Sequence, residues 1–167
     1  MENKPAGGFD ISSLTTASKI ILISGILLLI DSFLSWQRVC IDLGDFGGGC
    51  AGVSAWGGSG GFAGVIMGIL LIVLVIWEVV QLANMAGNIQ IGIPPTKGSA
   101  YLGFTVVGFG ILKLIIVLTS SVKPSIFGWI GLVLLVILGY GSWMKYQEVE
   151  AGSMGSGSPP GDSGFSA

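Results

Sequence analysis

The stretch at residues 19–36 constrains this chain more than any other, because it is an apolar run that water cannot solvate and it carries an acid, Asp31, well inside it. As a helix it would be roughly 27 Å long, close to the hydrocarbon thickness of a bilayer. Ser35-Trp36-Gln37-Arg38 makes a poor cleavage site, so the segment is expected to stay in the protein as a transmembrane helix. Three further apolar runs, at 61–82, 100–119 and 125–146, repeat the pattern. The expected fold is therefore all-α: an integral membrane four-helix bundle spanning 18–146, between a disordered arm at 1–17 and a disordered tail at 147–167.

Composition agrees with that solvent. Of 167 residues 51% are hydrophobic and only 10% charged, with no histidine. The seven Lys and Arg are scattered and the net charge is -2, which excludes the basic patch that nucleic acid requires. The expected partners are the lipid bilayer and either another membrane protein or further copies of this chain. Without histidine, a nucleophile-base pair, a phosphate loop or a metal cluster, the sequence offers no apparatus for catalysis, and no cofactor or metal site is expected.

The first connection, 37–59, contains seven glycines and reads as a wet loop. Its Cys40 and Cys50 can form a disulfide if the loop faces an oxidising compartment, where closing the loop contributes about 2–3 kcal/mol; two free thiols are the alternative. The second connection, 84–99, is polar and broken by Gly87, Gly92, Pro94 and Pro95. The third is a tight turn, with Pro124 placed to start the last helix.

With the N-terminus inside, Lys4, Lys19, Lys97 and Lys145 fall in the cytoplasm and Arg38 and Lys123 outside. The bias favours cytoplasmic N and C termini in the cell membrane. Aromatic residues sort the same way: Trp36 and Trp129 mark one interface, Trp77, Tyr101, Trp143 and Tyr146 the other.

Two intramembrane features bear on function. In the second helix Gly60, Gly64 and Gly68 recur every four residues and offer a face that another helix can approach closely. Asp31 and Lys113 lie about 6 Å and 4 Å beyond the midplane on the same outer side, counting at the helical rise. An isolated charge there costs about 3 kcal/mol, so the two have reason to form an intramembrane ion pair, as a fixed interhelical contact or as part of an ion or proton route. Glu78, beside Trp77, reads as an interfacial acid reaching water.

Asp31-Ser32-Phe33-Leu34-Ser35-Trp36, Trp77-Glu78 and Phe127-Gly128-Trp129-Ile130-Gly131 resemble helix ends in small uncharacterised four-helix membrane proteins of actinobacteria. This resemblance covers most of the membrane part and implies an inner-membrane location with no known activity. Trp36, Cys40 and Cys50 also resemble the tryptophan and disulfide in the first loop of claudin-like proteins, which implies adhesion through that loop. The expected function is a non-enzymatic scaffold or accessory subunit of a bacterial cell envelope. A small oligomeric channel or transporter using Asp31 and Lys113 is the alternative, and claudin-like adhesion the third.

Overall fold

Thr15 starts the first helix: its hydroxyl accepts the Ser18 backbone N–H at 3.3 Å, satisfying one of the free amides of the first turn. The computed structural model describes residues 14–42, 44, 47–82 and 95–154. In chain order these form α1 (Thr16–Ser32), β1 (Ser35–Asp42), β2 (Gly48–Ser54), α2 (Gly61–Leu82), α3 (Pro95–Thr119), β3 (Lys123–Pro124) and α4 (Ile126–Met154). The expectations for 1–13 and 155–167, and for most of the second connection, lie outside the described residues.

Each helix packs on its neighbours in the order α1, α2, α3, α4 and back to α1, with α1 touching α2 least. The centre is filled by Ile21, Leu28, Met67, Leu71, Leu74, Val106, Leu135 and Leu138, all buried. The outer faces are just as apolar, with Ile23, Ile69, Ile76, Leu118, Val133 and Val136 exposed. Helices apolar on both faces suit a lipid solvent. Helices α2, α3 and α4 are each long and apolar enough to cross a membrane, whereas α1 has 17 residues.

The all-α expectation needs correction, because one end of the bundle carries a three-stranded antiparallel sheet in the order β2-β1-β3. Glycine has little intrinsic preference for strands, which is why 37–59 reads as a loop; here long-range bonds impose the extended form. Residues 33–36 also leave the expected first helix, because other groups take the carbonyls at its end. Asp31 O accepts the Leu34 N–H and the Trp36 indole N–H, and Ser32 O accepts the Ala55 N–H. The ladder is irregular between Ser35 and Gln37, and Trp36 turns inward there with 1% of its surface exposed. Trp36 is therefore a core residue under the sheet and does not anchor in the interface. On the other side of β1, Ser125 N donates to Trp36 O at 2.9 Å and the Ser125 hydroxyl donates to Ser35 O, tying the start of α4 to the sheet.

Helix boundaries differ as well. α3 begins at Pro95 instead of Ala100, and α4 continues to Met154, past residue 147 where the tail was expected to begin.

Candidate functional site

Ionisable groups are buried at both ends of the bundle. At the sheet end Lys113 of α3 is fully buried, and its ammonium donates to Gly57 O and Ser59 O, both at 2.7 Å. Two carbonyls two residues apart can converge on one cation because Gly58 between them adopts φ +65°, a conformation open to glycine. Gln37, also fully buried, braces the same turn: its amide donates to Ser59 O at 3.0 Å and to Gly57 O at 3.5 Å, and its carbonyl oxygen accepts the Ser59 N–H at 3.1 Å. The turn thus supplies dipoles to the lysine while a strand residue holds the turn.

Asp31 is not the partner of Lys113. Both its carboxyl oxygens are buried and meet no hydrogen-bond donor among the described residues. The acid lies against α4, where a Cβ added at Gly131 would come within 2.8 Å of Asp31 Oδ2 and would collide with the Trp36 ring. The expected ion pair fails because the turn that follows the hairpin gives Lys113 carbonyl acceptors of its own, a contact that helix depth alone does not reveal.

The ion pair the structure does contain is at the far end. Lys145 of α4 meets both carboxyl oxygens of Glu78, at 2.7 and 2.9 Å, with the two side chains 2% and 1% exposed. Its ammonium also donates to Ser18 Oγ at 2.9 Å and Gln81 Oε1 at 3.4 Å, and Gln81 in turn donates to Ser99 Oγ at 2.7 Å. One residue or more from each of the four helices enters this cluster. Glu78 is therefore an interior group and not an interfacial acid reaching water. Lys145 is absent from the sequence-based site; its signal was available, since both residues lie at the same end of their helices.

The glycine face is used, though not as expected. A Cβ on Gly64 would collide with Ala55 O, and one on Gly68 would collide with the Trp56 ring. What approaches these two glycines is the end of the hairpin, not another helix. Gly60 precedes α2 with φ +70° and faces Ile116 of α3. Trp56 is further fixed by its indole N–H to Ser32 Oγ at 3.0 Å and by stacking on Phe33, 5.4 Å between centroids. Cys40 and Cys50 pair opposite each other in the β1–β2 ladder and are joined by a disulfide.

No protein-family model, curated protein or solved structure matches the chain. The two polar ends are separated by the apolar core, and the buried hydroxyls along it, Ser24 and Ser142, donate to carbonyls of their own helices, Ile20 O and Leu138 O. Among the described residues no group of three or more His, Cys, Asp or Glu side chains can hold a metal ion.

Proposed function

We propose that this chain is a non-enzymatic, four-pass protein of the bacterial cell membrane that acts as a scaffold or accessory subunit, presenting its disulfide-closed hairpin outside the cytoplasm. The observation that carries this reading is the apolar seal between two ends at which the buried lysines, Lys113 and Lys145, are bonded within the protein. A conductor needs polar stations in sequence across the bilayer, whereas Leu71, Leu74, Leu135 and Leu138 fill that span. In this orientation both termini are cytoplasmic. Lys145 is neutralised by Glu78, so the charge bias rests on Lys4, Lys19 and Lys97 against Arg38 and Lys123.

The presented surface is β2, whose residues 48–52 are exposed and whose outer edge pairs with no strand among the described residues. Such an edge can accept a strand from another protein; it is also the feature that favours adhesion as another use of the hairpin. The channel reading draws on a different observation, the unpartnered carboxylate of Asp31.

A photo-crosslinking residue at Ala51 in living cells tests the scaffold. A discrete adduct that is lost when the disulfide is removed by Cys40→Ser/Cys50→Ser is expected. Proteoliposomes of the pure chain should carry no ion or proton flux above that of empty vesicles; flux abolished by Asp31→Asn would replace the scaffold with the channel.

A further inference from the structure

We propose that the groove between α3 and α4 at the sheet end binds one acyl chain of an anionic phospholipid, with the phosphate held by Arg38 and Lys123. The groove encloses about 160 Å³, is walled by Ile111, Ile115 and Leu118 of α3 and by Trp129 and Leu132 of α4, and is closed toward the sheet by Pro124. Trp129 and Leu118 are each more than half exposed, so the groove opens sideways, where the bilayer lies.

The charge above it identifies the occupant. Arg38 of β1 and Lys123 of β3 are direct cross-strand partners, so their side chains leave the same face of the sheet side by side. Both are exposed, and neither forms an ion pair among the described residues. Two like charges in register cost stability unless an anion joins them. Lys123 is also one residue from the groove wall at Pro124. A guanidinium and an ammonium together suit a phosphate, one as a planar fork and the other as a point charge. The alternating strand geometry turns Gln37 and Pro124 toward the bundle and the two cations toward water, which matches a lipid whose chain and headgroup part at the interface. A second copy of this chain is a poorer occupant, because a two-fold axis along the membrane normal would bring its own Arg38 and Lys123 to the same depth and add repulsion.

The proposal rests on the bundle being embedded in a bilayer, and alkaline carbonate extraction of membranes tests that separately. Release of the wild-type chain would sink the membrane reading. Retention in the membrane without lipid selectivity would sink only the site. The full-length chain in mild detergent is titrated with phosphatidylglycerol or with phosphatidylcholine of the same acyl composition and analysed by native mass spectrometry. A preference for phosphatidylglycerol of about thirtyfold is expected from two basic residues. Arg38→Gln/Lys123→Gln should abolish the preference without lowering the melting temperature of the lipid-free protein, because it also removes the like-charge repulsion. Leu118→Trp should fill the groove and lower phosphatidylglycerol retention about tenfold; Ile115→Trp, nearly one turn earlier, replaces it if the first variant does not fold. No preference in the wild type, or a preference that survives the charge variant, overturns the proposal. So does undiminished phosphatidylglycerol binding in the groove variant, which would mean surface electrostatics alone. A shift of the monomer-dimer balance in the groove variants without a change in bound lipid would make the groove a contact between copies and overturn it as well.

Discussion

Glu78 and Lys145, 67 residues apart, meet in a salt bridge that lies almost wholly inside the protein and gathers Ser18 and Gln81 around the same ammonium. Burying both charges is worthwhile only if the pair stays intact, because either charge left alone in a low-dielectric interior costs several kcal/mol. This contact fastens α2 to α4, which are not adjacent in the ring of helices.

Substitutions at this pair are therefore expected to be strongly non-additive. Glu78→Leu or Lys145→Met alone should destabilise the bundle by about 3 kcal/mol, since each leaves one buried charge without its counter-ion. The double variant should recover at least about 1 kcal/mol of the summed loss. Reversible unfolding in detergent, followed on all four proteins, measures the coupling; additive losses would mean that each group reaches water on its own.

The opposite result is expected for Asp31 and Lys113. Lys113 is held by Gly57 O and Ser59 O and Asp31 lies against Gly131, so the two share no bond. Asp31→Asn and Lys113→Leu should combine additively within about 0.5 kcal/mol. Gln37→Ala, by contrast, should couple to Lys113→Leu, because both side chains hold the same two carbonyls. A double-mutant cycle with strong coupling between Asp31 and Lys113 would show that the acid and the lysine do act together.

Seating of the hairpin can be read through the glycines. Gly64→Leu and Gly68→Leu should each destabilise by about 3 kcal/mol or more, because the added side chain collides with Ala55 O or the Trp56 ring. Gly108→Leu is the control: nothing lies within 4 Å of its Cβ position, and replacing glycine in a helix should stabilise by up to about 1 kcal/mol. Hydrogen exchange of the amides of 48–54 distinguishes a displaced hairpin from general unfolding. Equal protection in all three variants would refute the contact.

The disulfide gives a prediction about sidedness as well as stability. In intact cells a membrane-impermeant maleimide should label neither Cys40 nor Cys50 before reduction and both after it. Labelling without reduction would argue against a bridge in the cell. Silence in both conditions would place the hairpin on the cytoplasmic side and reverse the proposed orientation. Opening the ten-residue separation should cost about 2–3 kcal/mol.

Much of this protein is determined by the order of its residues alone. Apolar runs of helical length must satisfy their backbone hydrogen bonds internally, so four helices and three connections follow directly from where those runs begin and end. The nearness of Cys40 and Cys50 along the chain likewise makes their pairing a local matter. Tertiary structure decided the rest, and the reason is the same in each case. Residues 48–54 become a strand although three of the seven are glycine, because β1 supplies the pairing groups and the disulfide holds the register. Helix α1 stops at Ser32 because Trp36 and Ala55 take the carbonyls of Asp31 and Ser32. The lysines chose their partners in the same way. Depth along a helix placed Asp31 and Lys113 at one level, but the choice of acceptor depends on which groups face the same interior space, and Lys113 faces the turn at 57–59. Glu78 and Lys145 met because α2 and α4 direct those positions to the same point at the far end of the bundle. Helix rotation is set by the packing of all four helices together, and no single segment of the sequence carries it.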